Sequence, residues 1–284
     1  MRTLIEEAKV ELVPMKSLAQ AVSELRPASS ISMTCSPAKS IEATLDETEA
    51  LLAAGHDVIP HISARMVQTP DHLVEIHNRL VALDVRKIFV VGGDAEEPGC
   101  FFDAIEFIAA FVALDDASTG DGASPGGRQV DHIGYTAYPD SHPFITQQQL
   151  HEALHAKQQL VLGSGRTGHV STQMCFSADQ IGQWLLKERA AGFTLPVHLG
   201  VPGVIDTTRL ITMGMRLGVG TSLRYLKKNR KALSKLVAQR SFEPDTLLKP
   251  LAGDIDSLGI GGIHLYTFNQ VAATEDWRTR TLHT

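Results

Sequence analysis

Eight short apolar runs rich in Val, Ile, Phe and Tyr recur along the chain. They are KVELVP (9–14), SISMTC (30–35), DVIPHIS (57–63), KIFVVGGD (87–94), HIGYTAYP (132–139), HVSTQMCF (169–176), PVHLGVPG (196–203) and GGIHLYTFN (261–269). Runs of this length and composition predict strands buried on both faces. Between them lie stretches with apolar residues at helical spacing, among them SIEATLDETEALLAAG, TPDHLVEIHNRLVALD and SADQIGQWLLKERAAG. The second opens Thr69-Pro70-Asp71, an N-cap followed by proline at the first helical position. Gly55 and Gly192 close the first and third, where helix C-caps belong. Strand alternating with helix eight times predicts an α/β fold, one (β/α)8 TIM barrel filling a single domain over 1–284.

Two segments break the alternation. DDASTGDGASPGGRQ (115–129) has no apolar periodicity and reads as a Gly/Ser/Asp-rich loop. Residues 204–258 hold more than one helix, including SLRYLKKNRKALSKLVA, whose Leu223, Leu226, Leu233 and Leu236 lie near one face. The basic residues of that helix read as a solvated face. No internal repeat or interdomain linker divides the chain.

Composition narrows the function classes. An apolar fraction of 43% with 20% charged residues is that of a globular protein. A formal charge of −6 leaves no electrostatic footprint for nucleic acid. No run reaches the ~18 apolar residues of a membrane span, and MRTLIEEAKVEL carries acids where a signal peptide needs an apolar core. Cys35, Cys100 and Cys175 are too few and too scattered for a disulfide framework. A cytoplasmic, reduced protein is expected, with its oligomeric state left open.

Barrels of this class do their chemistry at the C-terminal ends of the strands. Those ends carry Glu11, Thr34, His61 with Ser63, Asp94, Tyr138 with His142, Gln173, and Tyr266 with Asn269; only the seventh, at Gly200, offers no polar side chain. Any one of these is an ordinary polar group at a strand end, but as a set they converge on one mouth. A carboxyl in a partly apolar pocket favours its protonated form, which suits Glu11 to general-acid work. Asp94 follows Gly92-Gly93, where backbone approaches a ring closely; its alternative role is a helix N-cap. GSGRTG (163–168) has the G-x-G-x-x-G spacing but leads into a strand, not a helix, so it is not a dinucleotide fingerprint. The twelve histidines are scattered, none paired with acids at the spacing of a known ligand set, and no metal is expected.

With these residues in view the chain resembles the methylenetetrahydrofolate reductase family, flavin-bearing barrels that reduce methylenetetrahydrofolate to methyltetrahydrofolate. The similarity runs in order from Glu11 to Asn269. VELVP resembles the family's first strand and puts Glu11 at its catalytic glutamate. SMTC puts Thr34, and IPHIS puts His61, at flavin-contacting positions. GGD puts Gly93 and Asp94 beneath the flavin ring, and AYPDSHP matches a Tyr-Pro-x-x-His-Pro signature that brings Tyr138 and His142 to the flavin. STQMCF puts Gln173 against the pterin, and IHLYTFN puts Tyr266 and Asn269 on the substrate side. In the helix that contacts the flavin diphosphate, LHEALHAK has Leu150 and Ala153 at usually polar places and keeps Lys157. Arg166, with the backbone N–H groups of GSGRTG, is the nearest replacement for the missing contacts.

The resemblance implies reduction of a folate substrate with NAD(P)H as reductant, through FAD held more weakly than usual. Glu11 and Asp94 would be catalytic, and Glu11 would also touch substrate. Two other activities fit the same barrel: a flavin-free reductase with direct hydride transfer, and a folate-dependent methyltransferase. A folate- or flavin-binding module without turnover is the non-enzymatic rival.

Overall fold

The computed structural model describes residues 1–118, 129–216 and 241–283. Its centre is a closed parallel barrel of β1 (Lys9–Leu12), β2 (Ser30–Met33), β3 (Asp57–Ser63), β4 (Lys87–Val91), β5 (His132–Ala137), β6 (Thr167–Thr172), β7 (Val197–Pro202) and β8 (Ile260–Tyr266). Each strand pairs with its neighbours in sequence, and β1 closes the ring against β8 with Glu11 beside Tyr266. All eight expected strands are present. The largest difference is in β6, which spans Thr167–Thr172 instead of 169–176. Its ladder ends where Gln173 N donates to Ala137 O and the Gln173 side chain then turns back to accept from Met174 N.

The helices start and stop where local chemistry directs. Thr69 accepts from His72 N with Pro70 at the first helical position. Gly55 and Gly192 take φ of 85° and 93° just past their helices, a conformation closed to most side chains. One expectation is corrected: the helix Ala104–Ala117 runs on through Asp115, which is 1% exposed, so the loop read from residue 115 begins later. Residues 119–128 of that loop, and the helix read over SLRYLKKNRKALSKLVA, lie outside the described residues. Among the described residues no helix is long and apolar enough to cross a membrane.

Strand alternation sorts the barrel into two faces. Val10, Leu12, Ile31 and Met33 point outward and pack with Leu18, Leu51 and Val271. The inward positions are unusually polar, since barrel interiors are dominated by branched apolar side chains. His61 bonds Ser32 Oγ at 2.6 Å and lies against Phe89, with ring centroids 4.6 Å apart. His132 and His169 meet at 2.6 Å, His169 stacks on His198 at 4.1 Å, and His198 Nδ1 lies 3.3 Å from Lys9 Nζ. Space for these rings comes from Gly134 and Gly262, where a Cβ would stand 2.6 Å from the rings of His169 and His198 respectively.

Burial sets the charge state of this column. It lowers His61 to about 3, with neighbouring His264 adding to the effect, and His132 to about 4, with Lys9 and Lys87 adding. His169 and His198 are pushed down the same way, first by burial and then by the neighbouring imidazoles and Lys9. An imidazole depressed in the fold titrates near 6.5 once unfolded. Above that pH neither state holds the proton, and the full stability is present. Below it only the unfolded chain takes protons up, so stability falls as pH drops from about 6.5 toward 4, by ~1.4 kcal/mol per pH unit for each such histidine. Urea unfolding at pH 7, 6 and 5 should show this steep loss; a flat profile would contradict neutral burial.

Candidate active site at the barrel mouth

Glu11 sits on the inward face of β1, 8% exposed, and its Oε2 lies 2.9 Å from His264 Nε2. The other nitrogen of that ring, Nδ1, lies 3.4 Å from Ser171 Oγ. An ionised Glu11 accepts from His264 Nε2–H; a protonated Glu11 donates to the same nitrogen once the ring carries its hydrogen on Nδ1. Ser171 suits both tautomers, because a hydroxyl donates or accepts. Tyr266 covers the pair: its ring centroid is 4.8 Å from that of His264 and its hydroxyl donates to Thr172 O at 2.8 Å. Burial, then the charges of Glu11 and Tyr138, hold the Tyr266 hydroxyl well above its ordinary range, so it stays a phenol.

One step further out, two buried hydroxyls lack partners. Thr34 Oγ1 and Ser63 Oγ are shielded from solvent and unbonded. Ser32 and His61 point into the barrel, so residues two farther along β2 and β3 point inward as well. A buried hydroxyl left unpaired costs roughly 1–3 kcal/mol, which a polar ligand at the mouth removes. Gly93 holds φ at 93°, and a Cβ there would fall 1.9 Å from Ser63 Oγ. Only glycine lets the 92–94 turn lie over that hydroxyl.

Asp94 is exposed at this rim. It is not a helix cap: Asp103 takes that role for the next helix, accepting from Ile105 N and Glu106 N. Its charge reaches Tyr138, raised chiefly by burial, and His142, which burial lowers while Asp94 opposes the shift. Tyr138 and His142 meet edge to face with ring centroids 5.2 Å apart. Buried Asp140 anchors their turn, accepting from Ser141 N and Gln180 Nε2. The segment 138–142 thus ends a strand by presenting an aromatic hydroxyl and an imidazole to the mouth. Gln173 stands partly exposed at the adjoining end of β6.

Three expected site residues are corrected. Asn269 is a clasp: its Oδ1 accepts from Val13 N and its Nδ2 donates to Val13 O and Ser17 Oγ, so both ends of the amide are used. Lys157 is buried beneath its helix, donating to Thr136 O at 3.3 Å with its ammonium 4.7 Å from the Tyr135 ring centre. Burial lowers it to about 8, Asp103 opposing. Arg166 precedes β6 and therefore lies at the end of the barrel opposite the mouth. It binds Asp115 at 2.8 Å, Asp116 at 2.6 Å and Val130 O, with its side chain wholly buried. The glycine-rich turn is a structural corner with no access to a ligand at the mouth.

The expected absence of a metal-ligand spacing is also corrected. His151 and His155, four apart in HEALH, converge with Glu188 of the next helix. His61, expected at a flavin, is enclosed within the barrel against Ser32 Oγ and Phe89. His132, His169, His198, His264 and Ser171 were missed because β5 to β8 contribute one histidine each, and only barrel closure brings them together.

No protein-family model matches the chain. Among solved structures, one from Burkholderia cenocepacia J2315 described as a phosphonomutase aligns with 70% of this chain and 81% of that one, at 14% identity and a TM-score of 0.44. So weak a likeness carries no argument about chemistry. The class rests on the structure itself: a single (β/α)8 barrel with a carboxyl–imidazole pair at its C-terminal mouth.

The pairing of Arg166 with Asp115 has a measurable consequence. Burial pushes the Asp115 carboxyl up, but hydrogen bonds from Arg166, His77 and the N–H groups of Val130 and Gln129 outweigh it and hold the group low. Arg166→Ala strands that carboxylate, and breaking a buried pair costs about 3–5 kcal/mol. Denaturant unfolding should show a loss of that size, while ligand affinity at the mouth, measured on the folded fraction, stays unchanged.

Proposed function

We propose that the protein is an oxidoreductase that reduces 5,10-methylenetetrahydrofolate to 5-methyltetrahydrofolate with NAD(P)H. The observation that carries this reading is the Glu11–His264–Ser171 chain, a carboxyl able to give up a proton and regain it, at the position the family resemblance assigns to the acid. Glu11 delivers a proton to the bridging nitrogen of the substrate's five-membered ring. The carbon–nitrogen bond breaks toward that nitrogen, leaving an iminium at the methylene carbon. Hydride from the reduced nicotinamide adds to that carbon and completes the methyl group. Asp94 and Gln173 orient the pterin by hydrogen bonds, and Thr34 Oγ1 and Ser63 Oγ gain the partners they lack. A positioned acid contributes ~10²–10⁴ in rate.

FAD is the hydride carrier the resemblance implies, and the residues divide on it. Asp94, Tyr138 and His142 fit its ring. The residues expected at the diphosphate do not match it: Leu150 and Ala153 are apolar, and Lys157 and Arg166 are spent on internal contacts. Bonds to an ionised partner are worth ~1.5–3 kcal/mol each, so losing two weakens binding by at least ~10²-fold. That mismatch favours the second reading, in which nicotinamide gives hydride directly to the folate, and no step above passes through a flavin.

Two measurements test these readings. Glu11→Gln should lower turnover of methylenetetrahydrofolate by ~10²–10⁴, followed as NAD(P)H oxidation, with nicotinamide affinity unchanged; near-wild-type turnover removes Glu11 from the mechanism. The purified protein should lack the flavin bands near ~370 and ~450 nm that the cofactor itself carries, and added FAD should leave the rate unchanged. Methyl transfer without NAD(P)H oxidation would replace the reductase reading altogether.

A further inference from the structure

We propose that His151, His155 and Glu188 form a binding site for one divalent transition-metal ion of the zinc class, between the Gln147–Gly163 and Ala178–Ala190 helices. The inference is independent of the folate reading and of the barrel mouth. His151 and His155 are four apart on one helix, so their imidazoles project from one face with ring centroids 4.5 Å apart. Glu188 reaches them from the neighbouring helix: its Oε2 lies 2.6 Å from His151 Nδ1 and 3.0 Å from His155 Nε2. All three candidate donor atoms fall within 4.8 Å of one another. Tetrahedral zinc with bonds of ~2.0–2.1 Å holds its donors roughly 3.3 Å apart. The two carboxylate–imidazole contacts need to lengthen by less than an ångström to admit the ion.

The electrostatics point the same way. Glu188 is 2% exposed, and its side-chain partners here are the two imidazoles. A carboxylate so buried requires an offsetting charge. A divalent cation brings that charge and uses all three donors. The donor set, two imidazoles and a carboxylate, matches zinc and its neighbours better than calcium or magnesium, which take oxygen ligands. His151 and His155 keep side-chain exposures of 28% and 18%, so a water can complete the coordination. HEALH has the H-E-x-x-H spacing of metallopeptidases. Glu152, the base of that motif, is exposed and accepts from Gln148 Nε2 at 2.7 Å instead of turning to the cluster. The site is therefore assigned metal binding without peptidase chemistry, joining two helices of the outer layer.

The test is titration of chelator-treated full-length protein with Zn2+ by calorimetry, and with Co2+ by visible absorption. One equivalent should bind, the Co2+ form should show d–d bands of low-coordinate geometry, and Zn2+ should raise the melting temperature. Outer-sphere partners of a metal site are worth ~10–100-fold in affinity; removing a direct ligand by His151→Ala, His155→Ala or Glu188→Gln should cost at least that. The two histidines are partly exposed, so their variants decide the matter if Glu188→Gln fails to fold. Absence of stoichiometric binding overturns the proposal, as does binding that survives all the folded variants unchanged, which would put the ion on other histidines.

Discussion

Closing a parallel sheet into a barrel sends every second side chain of every strand into one narrow interior. Here that constraint places Glu11, Ser32, His61, His169, His198 and His264 in a space most barrels fill with Val, Ile and Leu. Polar groups pay for such burial only by finding one another. They do so in short contacts, His61 with Ser32, His132 with His169 and His264 with Glu11, while Phe89 supplies an apolar surface against which His61 packs. The interior is specific because each ring has few acceptable partners.

The two ends of the barrel then take different characters. At the N-terminal end charges meet opposite charges: Arg166 pairs with Asp115 and Asp116, and Lys87 with Asp57. At the C-terminal end hydrogen-bonding capacity is left over, in Thr34, in Ser63 and in the exposed carboxylate of Asp94. Glu11 belongs to both regimes, fixed from below by His264 and open toward the mouth. That difference, ion pairs below and spare hydroxyls with a free carboxylate above, is the physical basis for proposing chemistry at the top.

Much of this was legible in the chain, since strand and helix periods are local properties. DVIPHIS coincides with β3, and Thr69-Pro70 begins its helix as read. Glu11, Thr34, Asp94, Tyr138, His142, Gln173 and Tyr266 do gather at one mouth, because a barrel aligns strand ends. What was illegible depends on distant partners. The role of Arg166 is set by Asp115, 51 residues earlier, and that of Asn269 by the backbone of residue 13, 256 residues earlier. Lys157 looked like a ligand contact because its sequence does not reveal which way its helix faces. The histidine pair in HEALH was visible as spacing, but the carboxylate that gives it meaning lies on another helix.

The seam between first and last strands bears on how the molecule comes into being. Asn269 clasps residue 13, Thr267 Oγ1 donates to Glu11 O, and Arg278 reaches back to the carbonyls of Ile5 and Glu6. All these contacts join residues far apart along the chain, with Glu11 and His264 separated by 253 positions. Loop closure over such separations is slow relative to local pairing. Without β8, the free edges of β1 and β7 have no partner, and the carboxyl of Glu11 has no imidazole. One strand therefore both closes the barrel and completes the carboxyl–imidazole pair.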